Sequence, residues 1–193
     1  MTDSLRVYFR QGYSAFDPGY RNNQSRVDAF IARVRDFQKE SESFEILNVT
    51  YKAGASPEGT LAINRKISGK RSANLTSYLR RHLTFSDNTL HIEDVVEDWD
   101  GLAELVERSS MPYRDEVLAL LQQETGSEKL KKELQGLHGG VAWRYMNDKL
   151  FPELRAFNVY IEVGVRNPEL PVPEIADSEP MPDEVFPALE DSL

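Results

Sequence analysis

Residues 54–79 read GASPEGTLAINRKISGKRSANLTSYL and carry the most chemically suggestive pattern in the chain. A Ser56-Pro57-Glu58-Gly59 turn runs into a helical segment. On that helix Asn64, Ser68 and Arg71 share a stripe with Leu75 and Tyr78, flanked by Ile63 and Ile67. A stripe that continues into leucine and tyrosine is the buried one, so its first two turns put amide, hydroxyl and guanidinium groups where core residues belong. These groups sit at the helix N-terminus, whose free backbone N–H groups attract anions. In open sheets with helical crossovers, ligands favour the crevice beyond the carboxyl ends of the strands. Two readings follow. In one, Asn64 ties down the turn and Arg71 reaches an acid elsewhere in the fold. In the other, the stretch holds a small anion or carboxylate, with Arg71 as a two-pronged clamp.

Other candidate chemistries find less support. His82, His91 and His138 are far apart in sequence and none has a partner at metal-ligand spacing, so no metal site is expected. GSEKLKKELQGLHGG and SGKRS lack the order of a phosphate-cradling loop. No Gly-x-Ser-x-Gly elbow occurs. The acids Glu97, Asp98 and Asp100 fall close together, as chance allows in an acidic chain; Asp100 is expected to cap a helix, and an enzyme built on Asp98 and Asp100 is the weakest of three functional readings. No catalytic residue and no cofactor is expected.

The elements that must position this stretch are legible from periodicity. LRVYFRQG alternates with Leu5, Val7 and Phe9 on one side, and Val27, Phe30, Ile31, Val34 and Phe37 recur at helical spacing to about Lys39. FEILNVTYKAG alternates again, with Leu47, Val49 and Tyr51 as its apolar set. The second helix then runs to about Leu83, a third strand follows through Leu90, Ile92 and Val95, and FNVYIEV supplies the last. Between strands three and four, helical patterns span Gly101–Arg108, Tyr113–Gln123, Glu128–Leu134 and Val141–Lys149. The predicted class is α+β, in the order β-α-β-α-β-(helical insertion)-β, with helices on one face of a mixed four-stranded sheet. Two consecutive β-α-β units favour parallel pairing with right-handed crossovers.

Charge divides the chain unevenly. Residues 167–193 hold eight of the 32 acids, none of the 23 Lys and Arg, and six of the ten prolines. The first 166 residues therefore carry 24 acids against 23 bases, a formal charge of −1. We expect a domain over 1–166, with its helical insertion at about 100–155, and a disordered acidic Pro-rich tail over 167–193. A near-neutral body argues against general nucleic-acid binding. There is no cysteine, hence no disulfide or thiolate site. No apolar run approaches the ~20 residues of a membrane-spanning helix, and no leader precedes Leu5, so a mature or truncated envelope protein and a cytoplasmic one remain equally open on composition.

Gly59-Thr60, Asn64, Ile67-Ser68, Arg71-Ser72 and Tyr78-Leu79 resemble the G-S…N…L-S…R-A…V…Y-L signature of OmpA C-terminal-like domains. Val7, Phe9, Phe16 and Pro18 resemble that family's first strand and following turn, and NVYIEV its closing strand. The likeness spans roughly residues 5–100 and 156–165. With ASPEG, EDWDGL, MPYRDEVL, GGVAWRYM and FPELR, the layout is similar to a subgroup from anaerobic Gram-negative bacteria that carries a helical insertion before the last strand.

The resemblance implies a non-catalytic periplasmic domain, associated with the outer membrane, that binds the diaminopimelate-containing stem peptide of peptidoglycan and anchors a larger assembly to the wall. It implies Arg71 and Asn64 as ligand residues, with Ser68, Gly59 and the turn around them. The family's turn aspartate is absent: Ser56 stands at its position and Glu58 is the nearest carboxylate. The family's basic pair before the last strand is here Phe157-Asn158. A different class of function is a scaffold that keeps the fold, has lost peptidoglycan binding, and contacts envelope or surface-assembly proteins through exposed aromatics such as Trp99, Tyr113 and Trp143.

Overall fold

Alternation of apolar residues sets the four strands, and the computed structural model, which describes residues 1–123 and 125–166, joins them into one sheet. The strands are β1 (Thr2–Tyr8), β2 (Phe44–Ala55), β3 (Leu90–Glu97) and β4 (Ala156–Val165). Their order is β1-β4-β2-β3. β4 lies antiparallel to both β1 and β2, and β2 pairs parallel with β3. The first β-α-β unit therefore has parallel directions without parallel pairing, because β4 inserts between its strands. Burial explains the insertion: Phe157, Val159, Ile161 and Val163 are each at most 2% exposed, so the most apolar strand takes an interior position.

Helices α1 (Asn23–Lys39) and α2 (Leu61–Arg80) pack on the sheet and close the main core. Val27, Phe30, Ile31 and Val34 of α1, with Leu75 and Leu79 of α2, meet Leu5, Val7, Val49, Tyr51 and the β4 residues. Asn23 seals the end of β1: its amide pairs both ways with the Tyr8 backbone at 2.9 Å and donates to the Asp17 carbonyl.

One strand departs from simple alternation. The β2–β4 pairing steps from Ile46↔Val163 to Asn48↔Glu162, leaving Leu47 as the extra residue of a β-bulge. Leu47 is 54% exposed and lies across Gly164, whereas Phe44 and Ile46 pack against the core with Val49 and Tyr51. The expected apolar set of Leu47, Val49 and Tyr51 is thus corrected at its first member, because the bulge turns the strand over at that point.

The insertion runs from Trp99 to Leu154 and has a core of its own. Its helices are α3 (Trp99–Glu107), α4 (Arg114–Leu121), α5 (Ser127–Gly136), α6 (Val141–Tyr145) and, after a π-helical turn at Met146–Leu150, α7 (Phe151–Leu154). Leu102, Val106, Val117, Leu134, Met146 and Phe151 are fully buried there. Asp98, not Asp100, caps α3, accepting from Gly101 N at 3.0 Å. A side chain at position 101 would strike that carboxylate, which accounts for the glycine. Trp99 and Trp143 pack against this core rather than standing exposed; of the three aromatics, Tyr113 alone is exposed, stacked on His138. The expectation for residues 167–193 lies outside the described residues.

Candidate functional site

The site lies where β2 ends and α2 begins. Thr60 caps α2 by accepting from Ile63 N, which fixes the first turn beneath the Ser56–Gly59 segment. The expected stripe is buried: Asn64, Ser68, Arg71 and Leu75 are all 3% exposed or less. Its polar members meet three different needs.

Asn64 faces the insertion. Its amide nitrogen donates to Gly59 O at 3.3 Å and to Glu97 Oε1 at 2.7 Å. Glu97, at the end of β3, also receives Lys131 Nζ of α5 at 2.5 Å and the Ser127 hydroxyl. Lys131 completes its set with Gly59 O at 2.8 Å and Glu128 at 3.1 Å. The side chains of Glu97 and Lys131 are 2% and 5% exposed, so this is a buried ion pair whose remaining hydrogen-bonding capacity is satisfied. A Cβ at Gly59 would come within 2.5 Å of Asn64 Oδ1, so this glycine lets the asparagine lie against the turn. Ser68 donates to the carbonyl of Arg65, a bond within its own helix.

Arg71 reaches from α2 to the end of β2 and to the loop after β1. Its Nε donates to Tyr13 O at 3.1 Å, Nη1 to Gly54 O at 2.9 Å and Nη2 to Arg10 O at 3.4 Å, while Phe9 covers the guanidinium face at 4.7 Å. It thus reaches backbone carbonyls and forms no ion pair among the described residues. Burial pushes its pKa down to about 10; the neighbouring Arg155 guanidinium pushes the same way, and Glu58 partly offsets both.

Arg155 is the residue that sequence reasoning missed. It stands just before β4, 8% exposed, with Nε donating to Ser56 Oγ at 3.3 Å and Nη2 to Glu58 Oε2 at 2.7 Å. Two buried guanidiniums, Arg71 and Arg155, therefore lie near each other, and among the described residues Glu58 pairs with Arg155 alone. The resemblance places its basic-pair position at Phe157-Asn158, two residues later, and so does not mark the arginine of FPELRAF. Of the six predicted ligand residues, Ser56, Glu58 and Arg71 gather around Arg155, whereas Asn64 and Gly59 belong to the Glu97–Lys131 network and Ser68 bonds its own helix.

The arrangement is suited to electrostatic recognition of an anion. Two buried guanidiniums lie close together here, only Arg155 is ion-paired, and Arg71 is neutralised by no direct partner among the described residues, so a ligand carboxylate would be attracted to the pair. Among the described residues, no three or more His, Cys, Asp or Glu cluster to hold a metal ion, and no helix is long and apolar enough to cross a membrane.

No family model matches the chain, and none of the curated proteins matches it in sequence. Among solved structures it is similar to the OmpA-like domain of FopA1 from Francisella tularensis subsp. tularensis SCHU S4, at 13% identity and a TM-score of 0.44. That similarity covers 86% of this chain and 77% of the other. It is a distant likeness of shape.

Proposed function

We propose that this is a non-catalytic cell-envelope domain that binds the stem peptide of peptidoglycan by its diaminopimelate residue, in the periplasm of a Gram-negative bacterium, and so anchors an outer-membrane or surface assembly to the wall. The observation that carries this reading is the pair of buried guanidiniums at the β2–α2 turn, Arg71 and Arg155, of which only Arg155 is ion-paired among the described residues, to Glu58. A ligand carboxylate complements these guanidiniums, and the stem peptide offers one beside an ammonium group. The resemblance of the α2 residues to the OmpA-like signature gives the ligand its class. Ser56 and Glu58 line the turn, Arg71 lies beneath it, and Asn64 holds the helix start against it through the Gly59 carbonyl, while Ser68 bonds within the helix.

The test is calorimetric titration of the chain with a diaminopimelate-containing muropeptide. Saturable binding that weakens when Arg71 and Arg155 are replaced supports the proposal. Binding indifferent to both arginines, or none at all, contradicts it.

One observation favours the scaffold reading instead. Every nitrogen of Arg71 is already bonded to a backbone carbonyl, and Glu58 is bonded to Arg155, so the cluster is largely satisfied from within. A pull-down from envelope extract separates the two readings. Retention on purified sacculi fits wall anchoring; retention of surface-assembly proteins, with no affinity for sacculi, fits the scaffold.

A further inference from the structure

The two arginines of the site differ in what a ligand could reach. Arg71 is 1% exposed, each of its three nitrogens is bonded to a carbonyl, and Phe9 covers its face. Engaging a ligand through it means breaking bonds that tie the Arg10–Tyr13 loop and strand β2 to helix α2. The Arg155 side chain is 9% exposed and bound differently. Its Nη2 meets Glu58, its Nε meets Ser56 at the long distance of 3.3 Å, and its Nη1 makes no hydrogen bond among the described residues. Glu58 therefore uses one arm of a fork that can grip a carboxylate with two. Glu58 also sits on a turn rather than in a helix or strand, with its side chain 17% exposed, so it can swing away without disturbing the sheet.

We propose that Arg155, and not the helix arginine, is the cation that grips the ligand carboxylate, and that Glu58 is an internal carboxylate which the ligand displaces. Arg71 is then a strut, fixing the loop and strand that frame the site. The inference rests on the stem-peptide reading and deepens it by assigning the specificity-determining residue. A ligand carboxylate bonding both Nη1 and Nη2 gains a two-pronged, charge-assisted contact where Glu58 supplies a single one, and this difference drives the exchange.

The experiment compares two stem tripeptides, one ending in diaminopimelate and one in lysine, which keeps the side-chain ammonium group and the peptide's C-terminal carboxylate but lacks the side-chain carboxylate. Each is titrated calorimetrically into the full chain and its variants. The wild type is expected to prefer the diaminopimelate peptide by about tenfold or more, since a charge-assisted bond is at stake. Arg155→Gln is expected to bind both peptides equally weakly, and Glu58→Gln to bind the diaminopimelate peptide several-fold tighter than wild type. Should Arg155→Gln fail to fold, Arg155→Lys keeps the charge without the fork and is expected to lose most of the preference. A wild type that binds neither peptide overturns the stem-peptide reading and this inference with it. A wild type that binds, together with an Arg155 variant that keeps its preference or a Glu58→Gln that binds more weakly, overturns this inference alone.

Discussion

Tyr51 shows how far one buried polar atom can set the behaviour of a residue. Its ring fills the core against Phe157 at 1% exposure, but its hydroxyl has no partner among the described residues. Burial raises its pKa to about 12, with Arg80 acting in the other direction. A folded-state pKa above the unfolded value of 10.0 gives a stability contribution that is whole below pH 10 and is lost as pH climbs through about 12. Tyr51→Phe is expected to abolish that alkaline loss and, by removing an unsatisfied hydroxyl, to raise stability at neutral pH by about 1 kcal/mol. Urea unfolding of both proteins at pH 7 and pH 11 checks this. Arg71 has the opposite sign, since its depressed pKa relieves a cost above pH 10, but it is common to both proteins and cancels in the difference. A Tyr51→Phe protein less stable than wild type at pH 7 would mean that the hydroxyl has a partner in solution.

Elements were legible wherever periodicity alone decides them. Leu5, Val7 and Phe9, the α1 stripe, and Val159, Ile161 and Val163 all lie in the core as their spacing predicts. The buried side of α2 was legible too, polar members included. Leu47 was not, because alternation is a local property and a bulge is created by pairing with another strand, here the step between Val163 and Glu162 of β4. The consequence can be measured. Leu47→Thr is expected to change stability by no more than about 0.5 kcal/mol, whereas Val49→Ala, two residues on, is expected to cost about 2 kcal/mol. Equal losses at both positions would place Leu47 in the core. Arg155 was hidden for a related reason: its importance lies in meeting Ser56 and Glu58 across about a hundred residues of chain, which no spacing rule within FPELRAF reveals.

At the scale of the molecule, two hydrophobic cores are joined by polar groups. The insertion buries its own apolar residues, and Lys131 reaches from it into the main domain to meet Glu97, Gly59 and, through Glu97, Asn64. The polar start of the α2 stripe thus has a structural task beside any binding one: it locks the turn that frames the site to an element inserted seventy residues later. Both tryptophans, Trp99 and Trp143, pack against the insertion core, so their fluorescence reports on the insertion, while far-UV circular dichroism reports on the whole. The wild type is expected to melt with the two signals coincident. Lys131→Met leaves a buried carboxylate without its partner, at a cost of about 3–5 kcal/mol, and is expected to lower the fluorescence transition and separate it from the dichroism one. Identical melting of mutant and wild type would show that the ion pair couples nothing.

In the function proposed for this chain, the turn joining β2 to α2, with Arg155 beside it, holds a stem-peptide carboxylate. Crystals of the chain soaked with the diaminopimelate tripeptide address it most directly. The expected result is ligand density with a carboxylate within hydrogen-bonding distance of the Arg155 guanidinium, and the Glu58 side chain moved off it. An undisturbed Arg155–Glu58 pair at a peptide concentration that saturates the protein in solution, or a peptide bound elsewhere on the surface, would contradict it.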